Sequence, residues 1–360
     1  VIVDTEDLQS ILEAAVRAPS VHNTQPWRFA VRGDAPDGTA AIDVFADRQR
    51  QLPVIDPSGR ELHISCGAAV EFAWVGARAI GRTCSVSLLP DPVNPDHLAR
   101  LEIGGLNAPS PDEAELGRAL PLRYTERGPF DNRQVSPQLL EEFRRAIRAH
   151  DVWLRVLDRP GDEVATAVLL AHADEIERAN PEYGSELAAW TGERAGARDG
   201  VPLSATPPIA DRGSSFRLRE FAAGDQPTAP STWSEAPPAA EHPLVVILGT
   251  AGDDRHAWLR TGQALGRVLL AATAAGLAAS PMTQVLEVGA TRVQLAAQLG
   301  LVGHPQVVLR IGYGHGHPTT PRRSLDDVII DWQVGSHQSP RSETPLSPPT
   351  TGPAVRQRLE

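Results

Sequence analysis

The sequence contains no lysine: all 34 basic residues among its 360 are arginine. That absence excludes a Walker A phosphate loop, a kinase-type strand lysine and a Schiff-base lysine for pyridoxal phosphate. Any bound phosphate must be gripped by guanidinium groups or backbone amides. Cysteine is scarce as well. Cys66 and Cys84 have no Cys-x-x-Cys spacing, so neither a disulfide framework nor a zinc site is indicated, and both read as buried thiols. No apolar run approaches a membrane span, and the first residues, Val1-Ile-Val-Asp-Thr-Glu-Asp, lack a basic region followed by a hydrophobic core. The expected location is the cytoplasm. A formal net charge of -11 repels phosphate backbones and anionic lipid, so neither nucleic acid nor a membrane surface is an expected partner.

What is present is a repeated helix and strand pattern. Thr5 is the expected cap of a helix with Leu8, Ile11, Leu12, Ala15 and Val16 on one face, broken by Pro19. Residues 27 to 32 and 40 to 46 alternate as paired strands about a turn. Residues 61 to 80 read as a long helix that is apolar on most faces and therefore buried, with a strand at 84 to 89 after it. The breakers Gly104-Gly-Leu-Asn-Ala-Pro-Ser-Pro111 mark a joint. Beyond it a second cycle runs: helix 137 to 150, strand 152 to 157, helix 162 to 178, strand 244 to 248, a long apolar helix 257 to 277 and strand 305 to 311. The two long helices echo each other, which suggests a duplicated α+β unit. Residues 1–110 form the expected first half and 111–335 the second. Between 192 and 242 Pro, Gly, Ala and Ser dominate, an insertion of lid-like character with Phe216 and Phe221 as its expected anchors. The Ser-, Pro- and Thr-rich tail at 336–360 is expected to be disordered.

The chemistry concentrates at Ala18-Pro-Ser-Val-His-Asn-Thr-Gln-Pro-Trp-Arg-Phe29, which sets five uncharged hydrogen-bonding side chains on one loop. Neutral amides and hydroxyls suit the edge of a flat heterocycle with carbonyls and ring nitrogens, where a full charge is costly to bury. From spacing alone, a helix end followed by a polar turn accounts for the same residues. Arg123-Tyr-Thr-Glu-Arg127 and Pro321-Arg322-Arg323 are two arginine clusters that read either as a solvated edge or as a phosphate grip. His315-Gly-His317 has no apparent third metal ligand and reads as a solvent-facing pair.

Pro19-Ser20-Val21-His22-Asn23-Thr24-Gln25-Pro26-Trp27 resembles the Pro-Ser-Ser-x-Asn-x-Gln-Pro-Trp signature of the nitroreductase family, in the form found in its single-chain actinobacterial Acg-like branch. Val21 stands where the family has a second Ser. The resemblance implies FMN as cofactor, with Pro19, Ser20, Asn23 and Gln25 near the flavin. The two arginine clusters resemble the family's phosphate-binding segments, which implies that Arg123, Thr125, Arg127, Arg322 and Arg323 hold the phosphate and ribityl chain. Pro281-Met282-Thr283-Gln284 resembles the segment running past flavin N5. The signature loop lies in the first cycle and the arginines in the second, so the halves complement each other as an internal pseudo-dimer with one flavin site, and a monomer is expected. The implied activity is hydride transfer from NAD(P)H through the flavin to a nitroaromatic- or quinone-like acceptor. The alternative is a protein that sequesters FMN with little turnover. No side chain is assigned as acid or base, since the cofactor carries the chemistry, and no metal is expected.

Overall fold

Asp4, and not Thr5, caps the first helix. The Asp4 carboxylate accepts the backbone N–H of Asp7 at 2.9 Å while the Asp7 side chain accepts the N–H of Asp4, a reciprocal pair that satisfies donors left open at a helix start. The computed structural model describes residues 3–33, 38–192, 197–206, 216, 219, 241–316 and 320–334. Phe221, His317, the tail expected at 336–360 and most of the expected lid lie outside the described residues.

The first cycle comprises α1 (Thr5–Ala15), β1 (Trp27–Arg32), β2 (Ala40–Ala46), α2 (Arg60–Ala79), β3 (Arg82–Leu88) and β4 (His97–Leu106), followed by α3 (Pro111–Ala119). The second comprises α4 (Pro137–Ile147), β5 (Trp153–Val156), α5 (Pro160–Ala179), α6 (Pro181–Ala189), β6 (Leu244–Thr250), α7 (Arg255–Ala274), β7 (Ala278–Pro281), α8 (Gln284–Glu287), α9 (Gly289–Gln298) and β8 (His304–Gly312). The chain closes with α10 (Leu325–Val328) and β9 (Ile329–Gln333). Two sheets result, ordered β3-β4-β2-β1-β9 and β5-β6-β8-β7. Read from the other edge, the second sheet repeats the first strand for strand: β1 matches β5, β2 matches β6, β3 matches β7 and β4 matches β8, with every one of these pairings antiparallel. The α+β unit is duplicated.

The two long helices, α2 and α7, join the halves. A Cβ on Gly67 would lie 2.2 Å from the Leu259 carbonyl oxygen, and one on Gly262 would lie 2.0 Å from that of Ile64. Ile64 and Leu259 precede their glycines by the same interval, so the crossing is itself pseudo-symmetric. His63 and Trp258, again equally placed, meet edge to face with centroids 5.5 Å apart. Only glycine allows backbones this close. Both helices are buried along most of their length, as their composition predicts.

The expected joint at 104–111 is different in the structure. β4 continues through Gly104 and Gly105, and α3 begins at Pro111 behind a Ser110 cap. Leu116, Ala119 and Leu120 pack into the core of the first half, and β9 pairs in parallel with β1. Two segments from beyond residue 110 thus complete the first sheet and its core, because the apolar faces they cover belong to α2 and β1. Among the described residues, no helix is long and apolar enough to cross a membrane, and no group of His, Cys, Asp and Glu is arranged to hold a metal.

Candidate active site

The loop between α1 and β1 is held in an unfavourable backbone shape. His22, Asn23 and Gln25 adopt φ of 45°, 55° and 50°, a left-handed region costly for residues with a β-carbon and common at functional sites. Its fastenings explain how it persists. The Ser20 hydroxyl accepts the Gln25 N–H at 2.9 Å. Asn23 donates to the carbonyls of Gly200 and Pro321 at 2.9 and 3.0 Å and accepts from Arg322 at 2.9 Å. Gln25 donates to the Arg198 carbonyl and accepts the Arg323 N–H, both at 2.9 Å. Asn23 and Gln25, expected beside a flavin, therefore spend their amides on two other segments of the protein itself, around residues 198–200 and 321–323, and neither lines the adjoining cleft. Their role is to fix the loop so that Pro19, Ser20, Val21 and His22 face that cleft.

The cleft encloses about 990 Å³ counted out to its mouth and draws on both halves. The first half contributes residues 19–22 with Glu61, Ile64 and Ser65 of α2; the second contributes Thr125, Arg127, Leu265, Val307 and the run Ser280 to Gln284; the insertion contributes Val201 and Arg219. Ile64, Leu265, Met282 and Val307 give it apolar walls. Pro281, Met282, Thr283 and Gln284 thus all line the cleft. The Met282 N–H is already bonded to the Val308 carbonyl at 2.8 Å, while the buried Gln284 Nε2 has no hydrogen-bond partner among the described residues. Burial pushes the Glu61 carboxyl up to about 7 against the pull of Arg60.

Thr125 and Arg127 also border a second cavity, of about 590 Å³, lined by Arg17, Arg123, Tyr124, Thr320 and Arg322. Their segment is sewn to the second sheet by a bridge between Thr125 and Ala279 and by the Glu126 N–H on the Ala279 carbonyl at 3.0 Å. This end is strongly cationic. The Nε atoms of Arg123 and Arg322 are buried without a hydrogen-bond partner, and among the described residues no carboxylate pairs with either side chain. Burial, together with Arg123, Arg127 and Arg17, pushes Arg322 down to about 9; burial and Arg127 push Arg123 down to about 10. Buried like charges with orphaned donors are an anion site in search of its counter-charge. Arg323 does not take part: it reaches the Gln25 carbonyl at 3.3 Å and Asp47 at 3.7 Å, away from this cavity.

The charged cluster behind the loop is assembled from separate stretches of the chain. Arg219 donates to His22 Nε2 at 3.0 Å, Tyr183 Oη at 2.9 Å and Glu287 Oε2 at 2.7 Å. Burial and the neighbouring Arg219 push His22 down to about 3, so the ring is neutral and accepts. Burial and Glu287 hold the Glu177 carboxyl protonated, while Glu287, although buried, is kept ionised by Arg219. The Phe216 to Phe221 patch was the available signal, and Phe216 is 2% exposed in a core with Leu157, Leu169 and Met282, as its expected anchoring role requires.

Comparison with known proteins identifies the family. The family model described as "Nitroreductase family" matches residues 2–54 and 208–313. "Putative NAD(P)H nitroreductase Rv3131" of Mycobacterium tuberculosis is 38% identical over 339 residues, covering 91% of this chain and 92% of the relative. "Putative NAD(P)H nitroreductase acg" of the same organism is 32% identical over 333 residues, covering 91% and 96%. The crystal structure of "a putative nitroreductase from anabaena variabilis" aligns with a TM-score of 0.49 at 10% identity, covering 88% of this chain and 90% of that one. With over a third of its residues shared with such a relative across almost its whole length, the chain belongs to the nitroreductase family, in its actinobacterial Acg-like branch.

Proposed function

We propose that the cleft binds one FMN per chain and that the protein is an NAD(P)H-dependent flavin oxidoreductase acting on a nitroaromatic- or quinone-like acceptor. One observation carries the reading: an apolar slot adjoins a cavity lined by Arg123 and Arg322, two buried arginines that pair with no carboxylate among the described residues. A planar ring system ending in a phosphate has that distribution of apolar surface and charge. Arg123 and Arg322, with Arg127 at the junction, hold the phosphate, and guanidinium forks suit its oxygens. Thr125 borders both cavities, and Pro19, Ser20, Pro281, Met282 and Thr283 border the ring slot. The orphaned Gln284 Nε2 supplies a donor for a ring carbonyl. When bound, FMN supplies hydride transfer at N5. Because both halves of one chain supply the site, a monomer is sufficient. The nicotinamide donor is supported by the names of the relatives.

The alternative, sequestration of FMN, is favoured by Val201 and Arg219 of the insertion, which wall the cleft. Anaerobic mixing of the FMN-loaded protein with NADPH separates the two. Bleaching of the flavin band, reversed by a naphthoquinone or nitrofuran over repeated turnovers, is the expected result; a band unchanged over minutes would select sequestration.

A further inference from the structure

The duplication supplies a counterpart to the cleft. The end of α4 corresponds to the end of α1, the start of α7 to the start of α2, and β3 to β7. A groove of about 1070 Å³ lies where these three meet, lined by Ala149 and His150 after α4, His256, Arg260 and Gln263 on α7, and Leu88 on β3. Its position mirrors that of the cleft, and its chemistry does not. Arg267 lies 2.5 Å from Glu71 and 4.5 Å from the Trp74 ring, and Arg260 is paired with Asp151. The two arginines of this groove therefore each have a carboxylate, whereas Arg123 and Arg322 have none. A phosphate finds no unneutralised cation here.

The groove does offer neutral donors and acceptors beside apolar surface. Gln263 is 7% exposed, lines the groove and has no hydrogen-bond partner among the described residues. An amide in that position presents one donor and one acceptor edge to a ligand. Burial lowers the His150 pKa, so its imidazole too is uncharged near neutral pH. Val86, Leu88 and Trp74 supply apolar and aromatic surface for a flat ring.

We infer that this groove binds a flat, uncharged heteroaromatic molecule carrying ring carbonyls, with Gln263 pairing to its edge. FMN in the first cleft keeps a flat probe out of it, so this groove is read separately. Lumichrome, a three-ring flavin fragment without ribityl chain or phosphate, is a suitable probe, added to full-length protein already saturated with FMN. Saturable quenching of lumichrome emission at one equivalent per chain is expected. Gln263→Leu should weaken it about tenfold, the loss of roughly one hydrogen bond's worth of binding. Ala149 is exposed, so Ala149→Trp fills the groove without disturbing a core and should abolish the quenching. Absence of saturable quenching, or quenching unchanged in Ala149→Trp, would overturn the inference, the second by placing the probe elsewhere.

Discussion

Replacing Arg123 and Arg322 together by Ala is expected to weaken FMN binding by about 100- to 10,000-fold, since each hydrogen bond to a charged group contributes ~1.5–3 kcal/mol. The two side chains carry buried Nε atoms without partners, and their charges repel each other. Removing them relieves that repulsion in the free protein and gives up the Arg322 bond to Asn23, one of several that fasten the loop. Riboflavin provides the internal control. It shares the ring but not the phosphate, so its affinity should change little in the same variant. Isothermal titration with both ligands reads the result: a fall for FMN alone locates the phosphate at this cluster, an equal fall for both would indicate damage to the ring slot, and no fall for either would place the phosphate elsewhere.

A second large effect is expected at the crossing of α2 and α7. In Gly262→Leu the new Cβ would sit 2.0 Å from the Ile64 carbonyl oxygen and 2.7 Å from Gly67 Cα. Backbone atoms in a packed helix cannot yield like a flexible side chain, so the helices must separate along their shared face. A loss above about 4 kcal/mol is expected, enough to abolish cooperative melting. Gly184→Ala, inside α6 with nothing within 4 Å of a new Cβ, should instead stabilise by ~0.5–1 kcal/mol. Thermal melts followed by circular dichroism test both. A Gly262→Leu protein that melts like the parent would mean that the halves do not meet through these glycines.

The sequence revealed the elements whose periodicity spans many residues. The buried helices at α2 and α7, the hairpin of β1 with β2 and the strand at β8 all lie within a few residues of where their patterns place them. Its failures share a cause. β4 contains Gly104 and Gly105, which read as a breaker pair, yet the strand runs through both, with Gly104 leaving room for Thr83 Oγ1, which a Cβ there would meet at 2.4 Å. β9 is short and pairs with a strand almost the whole chain away, a relation that local composition cannot encode. At the site, residue types were legible but side-chain directions were not. Asn23 and Gln25 are amides suited to a heterocycle, and only their contacts show that they serve the loop instead. Arg322 and Arg323 are adjacent and chemically identical, yet one borders the cationic cavity and the other is held by Gln25 and Asp47. The Arg219 cluster unites residues from α5, α6, α8, the loop and the insertion, so it has no signature in any single stretch.

A flavin site assembled from both halves of a single chain requires that one chain alone bind one FMN. Native mass spectrometry of the full-length protein mixed with excess FMN measures this directly, since it counts chains and cofactors in the same ion. The expected species is one chain carrying one FMN, replaced by the bare chain in the Arg123→Ala, Arg322→Ala variant. FMN retained only on a two-chain species, or no FMN retained by the parent protein, would contradict it.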